Sequence, residues 1–142
     1  MKIYISARAK TRLEEVKVIE KEVRGRGHDV ASDWTLADVQ RPYRDPSNRR
    51  HNIDIQNKML EQAASADVFI MLDEPGLRGA YVELGAFLLD CLHNAEGRRA
   101  YIVGPDSHER EFIFESPEYV YFKDTVDEVY QDLDQLAAGA DN

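Results

Sequence analysis

The sequence predicts an α/β fold in which a parallel sheet is covered by helices on both faces. Short apolar segments alternate with segments of helical periodicity along the chain, which is typical of parallel strands joined by right-handed helical crossovers. The 142 residues correspond to one domain that is long enough to bury a core. The hydrophobic content of 43% and the charged content of 32% are ordinary for a globular protein, so we expect a packed domain.

The predicted elements follow one another without a linker or a repeat, so we assign residues 1–142 to one domain. Strands are predicted at 2–6, 29–32, 68–72, 100–104 and 119–122. Helices are predicted at 9–24, from about 52 to 66, at 80–92 and at 126–137, and we expect residues 139–142 to be frayed. On the second helix, the residues expected to face inward are Ile53, Met59, Leu60 and Ala63.

Charge and composition narrow the classes of function. The net charge of -9 argues against binding to a nucleic-acid polymer, which requires a basic surface. No apolar run approaches roughly 18 residues and the chain opens directly with a strand, so we expect a cytoplasmic protein without a membrane partner. The histidines lack ligand spacing and Cys91 is the single cysteine, so we expect neither a metal site nor an internal disulfide. No glycine motif for a dinucleotide is present, and we expect no cofactor.

The most informative segment is 73–85, directly behind the apolar run 68–72. The run is short, continuous and bounded by turn residues, as in a buried parallel strand. Glycines then form a tight loop, which places Glu83 in the first turns of the following helix. Open α/β sheets bind ligands just outside the carboxyl ends of their strands, and a helix N-terminus favours an ionised carboxylate. Glu83 is therefore the first catalytic candidate; the alternative is a carboxylate that only improves the helix dipole interaction.

A family resemblance rests on three stretches: GAYVELG at 79–85, AD at 66–67 and MKIYIS at 1–6. Together they resemble the nucleoside 2-deoxyribosyltransferase family, which includes the nucleoside 5'-monophosphate N-glycosidases. The resemblance extends over roughly 2–136, and its specific parts are the Glu-Leu-Gly segment and the first strand. It implies N-glycosidic bond chemistry, a single-domain flavodoxin-like three-layer sandwich with a five-stranded parallel sheet, and a homo-oligomer. It also implies that Glu83 is the nucleophile and that Tyr4 is hydrogen-bonded to it.

The carboxyl ends of the predicted strands should meet at one crevice that suits a nucleoside-sized ligand. Trp34 has an aromatic face that can stack on a base, or else it covers a helix at the rim. Tyr4 is either part of the site or a plain core residue. The substrate-binding candidates are Ser6 and Arg8 after the first strand, Asp33 and Trp34 after the second, and Arg78 and Gly79 in the loop before Glu83.

The chemistry of an N-glycosidic bond requires two functional groups. Cleavage builds positive charge on the anomeric carbon and negative charge on the departing base, so a carboxylate must stabilise the carbon and an acid must protonate the base. Glu83 suits the first role. For the second, the sequence departs from the family, whose usual aspartate positions hold Met59 and Leu77 here. Asp73 and Asp33 are the two replacement candidates, and the acid stays unassigned.

Two predicted connections are longer than is usual in such folds. The first carries four arginines and a histidine, which either form a phosphate-binding lid or lie on a solvated surface loop: Arg41, Arg44, Arg49, Arg50 and His51. The second runs from 105 to 117 and offers Ser107 and His108 as candidates; the resemblance implies that this region reaches a neighbouring subunit. Arg78 either holds a 5'-phosphate through charge-assisted hydrogen bonds or is an exposed loop arginine.

We therefore expect cleavage or transfer at the N-glycosidic bond of a (deoxy)nucleoside or its 5'-monophosphate. Two alternatives stay open: a nucleotide-binding or sensing module without catalysis, and a glycohydrolase of a nicotinamide dinucleotide. The predicted helix at 80–92 is apolar nearly all round. Because the sheet covers only one side of that helix, we expect a second subunit to cover another, in a homodimer or higher homo-oligomer.

Overall fold

Five parallel strands form one sheet, in the order β2-β1-β3-β4-β5. The computed structural model describes residues 1–105 and 118–140 of the chain. The strands are β1 (Lys2–Ser6), β2 (Asp29–Val30), β3 (Val68–Leu72), β4 (Arg99–Val103) and β5 (Val120–Lys123). This strand order belongs to the flavodoxin-like sandwiches, so the prediction of a flavodoxin-like α/β domain with a five-stranded parallel sheet is confirmed.

Four helices cover the two faces of the sheet. They are α1 (Ala9–Gly25), α2 (Pro46–Ser65), α3 (Gly79–Cys91) and α4 (Val126–Ala140). Helix α2 packs along α3 on one face. On the other face α1 contacts α4, where the guanidinium of Arg26 lies 4.3 Å from the ring centre of Tyr130 and 3.3 Å from the Asp134 carboxylate.

The burial of the central strands explains their sequences. Every residue of β3 is buried, as a strand with helices on both faces requires, which is why it shows no polar alternation. In β1, Tyr4 and Ser6 are two residues apart and therefore point to the same face of the sheet. The Tyr4 ring stacks on Phe69 of β3 at 5.4 Å, and Phe69 meets Phe87 of α3 at 5.5 Å, so both side chains of β1 point toward α3.

Helix α2 begins earlier than predicted, at Pro46 rather than near residue 52. Asp45 caps it, because its carboxylate accepts a hydrogen bond from the backbone N–H of Ser47 at 2.9 Å, and proline is favoured in the first turn. The first half of α2 extends beyond the core, so Ile53 is 36% exposed and its predicted inward orientation is wrong. Ala63 is buried as predicted, and Met59 and Leu60 are partly buried.

Other boundaries shift by a few residues. Strand β2 has two residues rather than four, and α4 continues through Gly139 to Ala140, three residues beyond its predicted end. The predicted second long connection falls mostly on 106–117, so its candidates Ser107 and His108 lie outside the described residues. Within the described ranges, no helix is both long enough and apolar enough to cross a membrane.

Candidate functional site

A cleft of about 620 Å³ opens at the carboxyl ends of β1 and β3. These two strands are neighbours in the sheet, and the chain leaves them in opposite directions, toward β2 and toward β4. Such a change of direction separates the loops that follow the strands and creates the crevice in which open α/β sheets bind ligands. The cleft is lined by Ala7, Arg8, Ala9, Lys10, Trp34, Met59, Gly76, Leu77, Arg78, Gly79, Ala80 and Glu83.

Glu83 is the carboxylate of this cleft, and it is held from below by β1. The hydroxyl of Ser6, itself buried, donates a hydrogen bond of 2.5 Å to Oε2 of Glu83. The Tyr4 hydroxyl also faces this carboxylate and acts on its pKa, although it lies outside hydrogen-bonding geometry with any described residue. Because the two β1 side chains share one face, the strand places both hydroxyls under Glu83.

Burial controls the charge of Glu83. Loss of solvent raises the pKa of the Glu83 carboxyl above its ordinary value, while the hydroxyl groups of Ser6 and Tyr4 act in the opposite direction. Burial, together with the nearby Glu83, also raises the pKa of the Tyr4 hydroxyl. A partly desolvated carboxylate is stabilised by any positive charge that develops beside it, and a raised carboxyl pKa in a cleft is a common property of functional sites.

Trp34 forms an anchored wall of the cleft. Its indole Nε1 donates a hydrogen bond of 2.7 Å to the backbone carbonyl of Ile5, and only 8% of the residue is exposed. The ring still contributes to the lining of the cleft. Trp34 is therefore packed against the fold and also borders the cleft, and its stacking on a base stays a prediction.

Three cations line the same cleft: Arg8, Lys10 and Arg78. Lys10 and Arg78 form no ion pair within the described part of the chain, whereas Glu83 is the only carboxylate among the lining residues there. Lys10 was missed by the sequence analysis, although its position in the first turn of α1 was a usable signal. A protein of net charge -9 thus concentrates positive charge at one cleft, which suits an anionic ligand.

The guanidinium of Arg8 binds the loop between β3 and α3. Its Nε donates to Oε1 of Glu74 at 2.8 Å, and its second guanidinium nitrogen donates to the carbonyl of Pro75 at 2.9 Å. Gly76 follows with φ of +78°, a left-handed conformation that favours glycine, and a Cβ there would lie 3.3 Å from the Arg8 guanidinium. Arg8 therefore braces the two walls of the cleft, in addition to its predicted contact with substrate.

The N-termini of α1 and α3 both open into this cleft. Neither has a side chain that caps it, because the residues in the capping positions are Arg8 and Arg78. Uncapped N-termini present backbone N–H groups and the positive ends of two helix dipoles. Together with the cations, they form a region of positive potential at the mouth of the cleft.

The two acid candidates lie elsewhere. Asp73 is buried and accepts a hydrogen bond of 2.9 Å from the Tyr81 hydroxyl, and it is not among the described lining residues. Asp33 pairs with Lys58 at 2.5 Å and does not line the cleft either. Burial acts to raise the pKa of Asp33, but hydrogen bonds from Lys58 and Gln62 outweigh it and lower that pKa, so Asp33 is a poor proton donor. Each of these two carboxylates thus has a local partner, and neither lines the cleft.

The remaining predicted residues divide between the cleft and the surface. Gly79 and Arg78 line the cleft at the start of α3, and Met59 and Leu77 line it too, at the two positions where the family resemblance implies an aspartate. The four arginines of the first long connection do not line it; Arg50, for example, pairs with Asp54 at 3.3 Å on the surface of α2. Within the described residues, no cluster of three or more potential metal ligands occurs.

No protein-family model matches this chain, and neither does any curated protein. The resemblance to the nucleoside 2-deoxyribosyltransferases therefore stays a prediction that rests on the Glu83 segment and the first strand. The chemistry of the cleft does not depend on that resemblance, so it is the basis for inferring the function.

Proposed function

We propose that this protein cleaves or transfers the N-glycosidic bond of a (deoxy)nucleoside or its 5'-monophosphate, in the cytoplasm, with Glu83 as nucleophile or oxocarbenium stabiliser. The observation that carries the proposal is the carboxylate of Glu83, partly desolvated and held by Ser6 in a cleft with an aromatic wall. The cleft volume of about 620 Å³ falls in the range of small-molecule sites. A nucleoside fits both the volume and the lining.

The proposed mechanism uses Glu83 at the anomeric carbon. As the bond to the base lengthens, the sugar gains positive charge, and a carboxylate already deprived of solvent stabilises that charge more strongly than it would in water. Ser6 keeps the carboxylate in one orientation through its 2.5 Å hydrogen bond. Preorganisation of this kind favours the transition state over the ground state, because the charge that Glu83 complements develops only during the reaction.

The cations at the mouth of the cleft favour a 5'-phosphorylated ligand over a plain nucleoside. Arg78 and Lys10 form no ion pair among the described residues, and both flank helix N-termini. A phosphate placed there would receive charge-assisted hydrogen bonds from the side chains and from backbone N–H groups. The base would then lie toward Trp34 and Met59 on the other walls.

A second candidate function has one observation in its favour. Met59 and Leu77 make the cleft apolar where an acid would assist a departing base, and Asp73 and Asp33 are bound elsewhere. A nucleotide-binding or sensing module that does not catalyse would have such a cleft. The two functions differ in whether any ligand loses its base.

The decisive experiment measures free base by chromatography after incubation with nucleosides, 5'-monophosphates and dinucleotides. We expect release from at least one of them, and we expect Glu83→Gln and Glu83→Ala to abolish it without loss of thermal stability, since the residue acts in the transition state. Glu61→Gln is the matched control, because Glu61 is exposed on α2 and does not line the cleft. Activity that survives in Glu83→Ala would end the mechanism, and release from no ligand would leave the binding module.

We also propose that α3 forms part of a homodimer or higher homo-oligomer. Its outer surface exposes Val82, Leu89 and Leu92 by 59%, 62% and 70%. Val82 and Leu89 are seven residues apart and therefore lie on the same face of the helix, and exposed apolar side chains on one helix face favour a two-fold contact. Light scattering should give at least twice the monomer mass at micromolar concentration and the monomer mass for Leu89→Asp. A monomeric wild-type protein would contradict the proposal.

A further inference from the structure

The composition of the cleft raises the question of how a departing base would leave. Neutral bases depart with negative charge on a ring nitrogen, so their cleavage requires a proton donor. The described lining contains no second carboxylate beside Glu83, no histidine and no cysteine. The other charged side chains of the described lining are the cations Arg8, Lys10 and Arg78.

The two hydroxyls beside Glu83, those of Tyr4 and Ser6, are no better suited to donate a proton. Tyr4 is fully buried, and burial together with Glu83 raises the pKa of its hydroxyl. Ser6 donates its hydroxyl proton to Glu83 in a hydrogen bond of 2.5 Å and is fully engaged. The cleft therefore has a well-supported group for the sugar and none, among the described residues, for the base.

One class of N-glycoside needs no proton donor. When the base carries a permanent positive charge on the glycosidic nitrogen or its ring, breaking the bond returns the electron pair to that nitrogen and the base departs neutral. We propose that the preferred substrate is a 5'-phosphorylated N-glycoside with such a cationic base, of the pyridinium class. This inference rests on the proposed function, which it narrows to one substrate class.

The lining of the cleft suits such a base. Trp34 presents its ring with the indole nitrogen tied to Ile5, and tryptophan gives the strongest cation–π interaction of the aromatic side chains. Met59 adds a polarizable thioether, which makes favourable contacts with aromatic rings. Glu83 supplies the only negative charge of the described lining, so it attracts the cation in the ground state and the oxocarbenium in the transition state. The phosphate at the opposite end would be bound by Lys10 and Arg78.

The reaction balances without a further reactant except water. The bond from C1' to the ring nitrogen breaks, its electron pair goes to the nitrogen, and the base loses its positive charge. C1' becomes electron-deficient and is stabilised or captured by a carboxylate oxygen of Glu83. Water then adds its oxygen to C1', the bond to Glu83 breaks if it has formed, and one proton passes to the solvent. The products are a neutral base, a sugar phosphate and one proton.

The test compares matched pairs of nucleotides that differ in the charge of the base. The pairs are 7-methylguanosine 5'-monophosphate with guanosine 5'-monophosphate, and nicotinamide mononucleotide with its dihydro form. We expect kcat/KM for base release to be at least about 100-fold higher for the cationic member, since a missing general acid costs about 10²-fold or more. We also expect no decline of kcat/KM at alkaline pH for nicotinamide mononucleotide, because the charge of its base does not titrate and no proton donor has to stay protonated.

The outcomes separate this inference from the proposed function. Equal rates for both members of a pair, abolished in Glu83→Gln, would overturn the inference and keep the proposed function. Release of base from neither member would overturn both. Release from cationic members alone, lost in Glu83→Gln and kept in Glu61→Gln, would support both.

Discussion

Two basic regions of this acidic chain differ in what surrounds them. The cleft cations are Arg8, Lys10 and Arg78, which come from two distant segments and line one cleft. The arginine segment, 41–50, holds four arginines, yet none of them lines the cleft; Arg41 lies 5.1 Å from the ring of Tyr43, and Arg50 pairs with Asp54. The region that is richer in arginine along the sequence is the one that faces solvent.

The number of charged residues in one stretch of sequence therefore does not predict how many charges lie close together in the folded protein. The ends of β1 and β3 lie side by side in the sheet, so the loops that follow them bring their cations together. The residues that flank the arginine segment are instead bonded to each other, since the Asn52 side chain exchanges two hydrogen bonds with the backbone of Gln40, at 2.9 and 3.0 Å.

Among the substitutions that compare these two basic regions, the largest effect is expected at Arg78. Arg78→Ala should weaken the binding of a 5'-monophosphate ten-fold or more, because a charge-assisted hydrogen bond contributes about 1.5–3 kcal/mol, and should leave the matching nucleoside unchanged. Isothermal calorimetry with both ligands checks this. Equal loss for both ligands would show that Arg78 shapes the loop without recognising charge, and loss for neither would place it in solvent.

A smaller effect is expected at Arg8. Arg8→Ala removes the hydrogen bonds to Glu74 and Pro75 that brace the loop before α3. Affinity for nucleosides and monophosphates should fall together by about two- to five-fold, since partly exposed ion pairs contribute about 1 kcal/mol or less. If the loss is confined to the monophosphate in the same calorimetric experiment, Arg8 contacts phosphate and the bracing role is wrong.

Glu83 should lower the stability of the folded protein as the pH rises. Its folded-state pKa is raised above the ordinary 4.5, so the folded protein keeps a proton that the unfolded chain has already lost. The free energy of unfolding of the wild type should therefore decrease as the pH rises from 4.5 through the raised pKa, and then stay lower.

Glu83→Gln lacks this titration. In urea unfolding, the stability difference in favour of Glu83→Gln should grow from acidic to neutral pH. Glu61→Gln, on the exposed surface of α2, should show no such growth. A difference that is constant with pH would mean that Glu83 titrates normally in the folded protein.

The smallest effect is expected in the arginine segment. Arg44 is exposed and forms no ion pair with a described residue, so Arg44→Ala should change neither stability nor affinity for a monophosphate beyond experimental error. The same calorimetric titration that tests Arg78 is the measurement. A ten-fold loss at Arg44 would break the comparison, because it would show that the segment closes over a bound ligand.

The layered α/β fold and the position of Glu83 in its helix can both be predicted from the sequence. Uninterrupted apolar runs mark strands that are buried on both faces, and β3 is buried throughout. Glycines before an apolar helical segment placed Glu83 in the first turns of α3, where the structure has it. The early start of α2 is also predictable from the sequence, because Asp45 followed by Pro46 is a typical pattern for a helix N-terminus. The periodicity of the later residues instead predicts a start near residue 52.

The hydrogen-bond partners of the candidate site residues are visible only in the tertiary structure. Ser6 meets Glu83 across 77 positions of sequence, and Asp73 accepts a hydrogen bond from Tyr81, a partner that the sequence does not indicate. Periodicity states which face of an element a side chain occupies, but not which residue of another element lies opposite. The residue that lies opposite depends on how the strands and helices pack. A shift of one residue in the register of a strand moves each of its side chains to the other face of the sheet.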